Sequence, residues 1–263
     1  MVRRFVGLAG VDERTTRHKP VARSKLMESV SAAKWHDGIT LRQAALVAGV
    51  TYLLNPVSYA EFHIYPKLVA ANDAAETAQN ISAHPGLFAA GILCYVISFV
   101  GDIILAWALY FLLAPVNRAL SLLASWCQLV YAAAALCSVF SLLNVYHLLI
   151  TPYYLTLFGS SQLQAQVWFQ LHSFHSEWSM SLIVFGIHLV LLGYLVYRSG
   201  YIPWIVGIAL LIAGAGWIIG GVGPYIFPNT NFDFTMMTAF GEVIFILWLW
   251  IRGWKIQEPA VVA

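Results

Sequence analysis

The sequence predicts an all-α fold: an integral membrane bundle of six helices with both termini in the cytoplasm. Composition, long apolar segments and the placement of basic residues support this prediction. Of the 263 residues, 60% are hydrophobic and only 10% are charged, whereas soluble globular domains contain about 25% charged residues. This composition excludes a water-soluble globular domain. The formal net charge of only +2 also argues against a nucleic-acid partner, which requires a basic patch.

Six apolar segments are long enough to cross a membrane, because a spanning helix needs about 20 mostly apolar residues. In chain order they cover residues 41–63, 87–113, 119–148, 174–197, 203–223 and 233–251. Turn-forming residues separate consecutive segments. Within the first segment, Pro56 is expected to kink the helix. The alternating pattern of membrane β-barrel strands is missing from these segments, so the sequence favours helices.

The positions of Lys and Arg predict the orientation, because basic residues concentrate in cytoplasmic loops. All of the 14 Lys and Arg residues except Lys67 fall on one predicted side. We therefore expect both termini on the cytoplasmic side of a bacterial inner (plasma) membrane. The chain divides into a basic N-terminal tail at 1–38, a transmembrane domain at 39–254 and a C-terminal tail at 255–263. The basic tail is predicted to bind anionic lipid, with docking to a partner protein as the alternative.

Three ionisable side chains lie near the predicted bilayer centre, where each costs at least about 2.5–3.5 kcal/mol on insertion scales. A rise of about 1.5 Å per residue gives this depth to Asp102, His188 and Glu242. Two carboxyls and an imidazole at one depth can donate and accept protons. These three are the predicted catalytic residues. The same groups could instead hold a metal ion or fix the bundle by hydrogen bonds.

Other polar and aromatic side chains are expected to bind a substrate, because most of them share helix faces with polar neighbours at helical spacing. These candidate substrate-binding residues are Asn55, Tyr95, Tyr131, Glu177, Ser181 and Trp217. Trp217 lies in a glycine-rich run in which Gly216 and Gly220 have the spacing that allows close helix packing.

A second polar layer is predicted at the outer membrane boundary. His172 and His175 are one turn apart, so both can bind one ion from a single helix face. The candidate metal ligands are His172, His175, His147 and Glu61, with a divalent metal or haem as the cofactor. The alternative is that these side chains lie among lipid headgroups, where polar groups cost little.

Two stretches carry a resemblance to a known family. They contain Pro-Val-Asn-Arg within residues 109–126 and Arg-Ser-Gly-Tyr-Ile-Pro within residues 185–203. Both resemble a bacterial six-helix membrane family filed as a domain of unknown function, number forty-three eighty-six, and the similarity covers about residues 41–252. The resemblance implies six helices, with an acid and a histidine where Asp102 and His188 stand, and it implies no activity.

Together these observations predict an enzyme or carrier whose partners are membrane lipids and a small lipophilic molecule. The enzyme alternative includes a terpene-cyclase-like reaction, in which a buried carboxylic acid protonates an alkene or epoxide. Two other classes stay open. One is an accessory subunit of a larger membrane complex, with partner membrane subunits and a bound haem, pigment or metal. The other is a proton-coupled transporter.

Overall fold

A computed structural model describes residues 39–256 of the chain. The predictions for the tail at 1–38 and for residues from 257 onward concern positions outside the described residues. Within 39–256 the chain forms helices, turns and loops, and this part contains no β-strand. The predicted all-α class is confirmed for the described residues.

The α-helices are numbered in chain order. They are α1 (Leu41–Leu53), α2 (57–68), α3 (Ala74–Ala83), α4 (Pro85–Leu113), α5 (Arg118–Ile150), α6 (Pro152–Leu157), α7 (Ser160–Arg198), α8 (Trp204–Ile226) and α9 (Phe240–Arg252). A π-helical turn, Ala60–Ile64, lies within α2, and two 3-10 helices, Asp233–Ala239 and Gly253–Lys255, flank α9.

Five helical stretches in the described part of the chain are long and apolar enough to cross a membrane. They are Pro85–Leu113, Arg118–Ile150, Ser160–Arg198, Trp204–Ile226 and Phe234–Lys255. These stretches correspond to the second through sixth predicted segments. The chain is therefore a helical, multi-pass membrane protein.

The first predicted segment is interrupted. α1 ends at Leu53, and α2 begins at Val57. Pro56 has no N–H to donate to the carbonyl four residues earlier, and its ring crowds that carbonyl, so a helix cannot continue through it unchanged. The Asn55 Oδ1 atom accepts a hydrogen bond from the Val57 N–H at 3.1 Å, which starts the second helix. The expected kink at Pro56 is a complete break.

The loops that the sequence predicts to face outward contain more helix than expected. α3 lies in the predicted loop at 64–86 and begins with a side-chain cap, in which Asp73 accepts a hydrogen bond from the Glu76 N–H at 2.8 Å. α7 has 39 residues and is about 58 Å long, which exceeds the roughly 30 Å hydrocarbon core. Its additional N-terminal turns are stabilised by packing against α3.

Six helices of the described part pack in a ring. α1 contacts α4, which contacts α5; α5 contacts α7, α7 contacts α8, α8 contacts α9, and α9 contacts α1. The Trp250 Nε1–H donates to the Gly49 carbonyl oxygen at 2.8 Å and joins α9 to α1. The interrupted first segment therefore completes the wall of the bundle.

α4 shows how this ring separates lipid from core. Leu93, Ile97 and Ile104 are about half exposed and fall within about 40° of one another around the helix axis. Asp102 is buried on the opposite face. α4 thus presents apolar side chains to lipid on one face and directs the Asp102 carboxyl into the helical bundle on the other.

Candidate functional site

The site is built around two carboxyl groups carried by helices that are far apart in the sequence. Asp102 lies on α4 and is 6% exposed, and Glu242 lies half-buried in the first turn of α9. The two carboxyl groups are close enough to interact electrostatically. Neither forms an ion pair with a basic side chain anywhere in residues 39–256. The structure therefore brings together two of the three predicted catalytic residues.

Close packing between α8 and α9 positions Glu242. A Cβ added at Gly241 would overlap the carbonyl oxygen of Ala209 on α8, so only glycine permits this approach. The approach brings Glu242 within reach of Trp217, whose indole Nε1–H donates to the Glu242 Oε1 atom at 2.5 Å. Trp217, a predicted substrate-binding residue, thus contacts a predicted catalytic one.

Two tyrosines complete the central group. The hydroxyls of Tyr52 and Tyr131 each lie within electrostatic range of both Asp102 and Glu242. Tyr52 comes from the last turn of α1, where its ring meets Phe245 edge-on at 6.4 Å. We call Tyr52, Asp102, Tyr131 and Glu242 the central cluster. Phenols beside carboxyls can donate hydrogen bonds or protons to them.

His188, the third predicted catalytic residue, is held on the α5–α7 wall. Its side chain is 1% exposed. The Nδ1–H donates to the Ala124 carbonyl oxygen at 2.8 Å, and the ring stacks on Phe185 at 6.0 Å. In the described chain it makes no hydrogen bond or ion pair with either carboxyl. A direct role for His188 in proton exchange with Asp102 or Glu242 stays a prediction.

A separate polar group lies toward the predicted outer side. The Tyr95 O–H donates to the Glu61 carboxylate, and His175 Nε2 lies 4.0 Å from the other oxygen of Glu61. The Tyr65 hydroxyl is 3.4 Å from His175 Nδ1. Tyr65 lies beyond the predicted first segment, and its hydroxyl is within electrostatic range of the Glu61 carboxylate. These contacts attach α2 to α4 and α7.

The predicted metal ligands do not share one centre. His175 and Glu61 are close, but His172 donates from Nδ1 to the Trp168 carbonyl oxygen of its own helix at 2.9 Å. The His147 ring packs edge-on against Tyr146 at 6.1 Å. Among the described residues, no three His, Cys, Asp or Glu side chains are grouped as metal ligands. Helical spacing places His172 and His175 one turn apart, yet the packing of α7 gives them different neighbours.

The remaining candidate substrate residues have structural partners. The Ser141 hydroxyl donates to Glu177 Oε2 at 3.1 Å, and the Ser181 hydroxyl donates to the Trp178 carbonyl oxygen at 2.6 Å. Asn55 caps α2. Tyr95 belongs to the outer group and Tyr131 to the central cluster. The predicted substrate residues therefore divide among several sites.

A cleft of about 420 Å³ reaches the indole of Trp217 from the end of α8. Among the side chains that the structure describes, its lining combines hydroxyl, amide and apolar groups. The lining residues are Ser179, Leu182, Trp217, Gly220, Gly221, Pro224, Thr230, Asn231, Phe232, Thr235 and Met236. Because Trp217 also contacts Glu242, this one side chain links the cleft to the central cluster.

Two features of the site were not assigned from the sequence. Tyr52 lies one turn before Asn55, but nothing in the sequence shows that α1 directs it toward Asp102 and Glu242. Gln128 lies at helical spacing from other polar residues of α5. This pattern indicates a helix face that points into the bundle. The complete burial of Gln128 marks it as part of the interior.

Fold and site define a class: a multi-pass α-helical membrane protein with carboxyl groups buried between its helices. The chain belongs to the family described as domain of unknown function DUF4386, whose sequence profile matches residues 47–253. It is also similar to an uncharacterized protein of the archaeon Archaeoglobus fulgidus. The two are 36% identical over 158 residues, which is 60% of this chain and 80% of the relative. No solved structure matches the chain.

Proposed function

We propose that this protein crosses the plasma membrane six times, with both termini in the cytoplasm, and exchanges protons with a small lipophilic molecule at Asp102 and Glu242. The interrupted segment at 41–63 supplies the first crossing in this arrangement. The molecule is either converted in place or carried across. The observation that carries the proposal is the interacting pair of carboxyls, which has no ion-pairing basic side chain in the described chain.

The physical reason is the cost of charge in an apolar interior. Two negative charges repel each other there more strongly than in water, and no basic side chain among residues 39–256 forms an ion pair with them. A proton on either Asp102 or Glu242 removes one of the charges. The pair can then hold a proton, release it to a bound molecule and take it back. Tyr52 and Tyr131 supply hydroxyl donors beside it.

The cleft beside Trp217 supports access for an uncharged molecule. Its described lining offers hydroxyl and amide groups among apolar surfaces. Small-molecule sites are typically apolar with a few placed polar groups. A molecule lying against Trp217 would be one side chain away from Glu242, because the indole donates directly to that carboxyl.

The test uses the full chain, purified and reconstituted in lipid nanodiscs, with a lipid-soluble extract of the source cells as the probe. We expect wild-type protein to retain a lipophilic molecule, identified by mass spectrometry, and to exchange protons with a pH-sensitive dye when the extract is added. Asp102→Asn and Glu242→Gln should lower this proton exchange at least tenfold. Glu76→Gln, at an exposed position of α3, is the matched control and should behave as wild type.

The result that overturns the proposal is equally defined. If both variants fold and exchange protons as fast as wild type, the carboxyl pair is not the reaction centre. Purification from native membranes tests the accessory-subunit alternative. Partner chains in stoichiometric amount or a visible chromophore, found in place of a bound lipophilic molecule, would support that alternative.

A proton-coupled transporter is the second candidate, and the break at residues 54–56 favours it. In many transporters, substrate and ions bind where a membrane helix is discontinuous. Tyr52, a member of the central cluster, lies just before this break. Vesicles distinguish the two activities: a carrier accumulates the unchanged molecule when a pH gradient is applied, whereas an enzyme yields a chemically altered product without a gradient.

A further inference from the structure

We infer that Gln128 and His188 bind an O–H group between α5 and α7, supplied by a water molecule or by the hydroxyl of a ligand. Gln128 has an exposed fraction of 0%, and its Nε2 and Oε1 atoms have no hydrogen-bond partner within the described chain. His188 is 1% exposed, and its Nε2 atom is likewise unpartnered there. Buried polar side chains in folded proteins are almost always hydrogen-bonded to protein or to ordered water.

The two side chains are neighbours across the helix interface. His188 is fixed by the Ala124 carbonyl oxygen, 2.8 Å from its Nδ1 atom. In an α-helix, the carbonyl of residue 124 is also the acceptor for the backbone N–H of residue 128. The imidazole of His188 therefore contacts α5 one helical turn before residue 128, on the side of the helix that carries Gln128.

The hydrogen-bonding capacities of the two groups define what they bind. A carbonyl oxygen only accepts, so His188 carries its proton on Nδ1, and the Nε2 atom of the neutral ring is an acceptor. The Gln128 carboxamide offers N–H donors and a carbonyl acceptor. A hydroxyl can donate to His188 Nε2 and accept from Gln128 Nε2 at the same time. A cation cannot accept a hydrogen bond from Gln128 Nε2, and a group without a donor cannot donate one to His188 Nε2.

The surroundings favour a neutral partner. Phe185 stacks on the His188 ring, and Tyr131 packs against Phe185 at 4.7 Å, so aromatic rings enclose this part of the wall. The site stands on the unpartnered atoms of Gln128 and His188, which are separate observations from the carboxyl pair. It goes beyond the proposed proton exchange and does not depend on it.

Nitrogen NMR of the full chain, labelled with ¹⁵N at histidine and reconstituted in nanodiscs, tests the inference directly. His188 is assigned from the signal that disappears in His188→Gln. We expect a neutral ring protonated at Nδ1, with the Nε2 resonance shifted by an accepted hydrogen bond. Cross-relaxation between the ring and bulk-exchangeable water identifies water as the source. Cross-relaxation to a non-exchanging lipophile, also recovered by solvent extraction, identifies a ligand hydroxyl.

Variants sharpen the assignment. Gln128→Leu keeps the approximate size of the side chain but removes its polar group, so the hydrogen-bond shift and the cross-relaxation should both be lost. Gln166→Leu, an exposed position on α7, is the matched control and should leave both unchanged. If Gln128→Leu fails to fold, the wild-type spectrum alone tests the inference.

Two results would overturn the inference. One is a wild-type Nε2 resonance typical of a nitrogen without a hydrogen bond. The other is a hydrogen bond to Nε2 that comes from the Gln128 amide itself, seen as cross-relaxation to that amide and to neither water nor a lipophile. Loss of proton exchange in Asp102→Asn is read separately, so failure of this site and failure of the proposed function are distinguishable.

Discussion

Among single residues, Trp217 has the most direct connection to the proposed chemistry. Its indole lines the cleft and donates to Glu242, a carboxyl on another helix. A hydrogen bond in a low-dielectric interior is electrostatically stronger than the same bond in water. The bond also fixes the direction of the Glu242 side chain toward the central cluster.

Replacing Trp217 by Phe keeps an aromatic ring but removes the donor. We expect Trp217→Phe to lower the free energy of unfolding by about 1–2 kcal/mol, because Glu242 loses a hydrogen-bond partner. Titration with a denaturing detergent measures this value. Trp126→Phe is the control, since Trp126 is 57% exposed. A double variant with Glu242→Gln should lose less than the two single changes added, and full additivity would contradict a direct interaction.

The sequence predicts a depth for the central carboxyls but does not predict their neighbours. Counting residues along the apolar segments gives Asp102 and Glu242 an expected position at mid-membrane, because helix rise is constant. Which side chains then meet depends on how each helix is rotated and tilted against the next. The Trp217–Glu242 contact and the position of Tyr52 follow from that packing, so the sequence did not indicate them.

Among the helices, the contact between α8 and α9 depends on the absence of side chains. A Cβ at Gly241 would overlap the backbone oxygen of Ala209 on α8. The glycine-rich run of α8 was predicted to allow close packing, and Gly216 confirms it, because a Cβ there would overlap the side chain of Thr238 in the 3-10 helix that precedes α9. Backbone atoms cannot move aside as a flexible side chain can, so the position of Gly241 is strictly limited.

Gly241→Ala should therefore destabilise the bundle. We expect a loss of about 1–3 kcal/mol, typical of overpacking a tight interface, and a shift of Glu242 away from Trp217. Gly86→Ala is the matched control, because a Cβ at Gly86 meets nothing within 4 Å. Thermal unfolding of both variants, followed by fluorescence and light scattering, compares them. Equal melting temperatures would show that α8 and α9 do not pack this closely.

The helices themselves show where sequence patterns succeed. Long apolar segments identify five crossings, because hydrocarbon requires every backbone group to be bonded within its own helix. α3 was missed although its start is readable: Asp73 and Glu76 have the spacing of a capped helix N-terminus. The break at Pro56 was expected only as a kink, because a proline in an apolar segment is compatible with either.

For the whole molecule, the number of crossings depends on the interrupted first segment. α1 has 13 residues and is about 20 Å long, too short alone for a core of about 30 Å. Yet α1 completes the ring by contacting both α4 and α9. The ring therefore favours a crossing made by α1 and α2 together, and cysteine labelling can test it.

We expect cysteines at positions 42 and 67 to react from opposite sides of the membrane. A membrane-impermeant maleimide added to intact cells should label Lys67→Cys, whereas Arg42→Cys should react only after lysis. Gly159→Cys and Arg252→Cys serve as outer and inner references. The background protein has its three native cysteines, Cys94, Cys127 and Cys137, replaced by alanine.

If positions 42 and 67 label from the same side, the chain crosses five times, and its N-terminal tail lies opposite its C-terminus. Labelling from opposite sides establishes six crossings, because the long helices fix every later crossing.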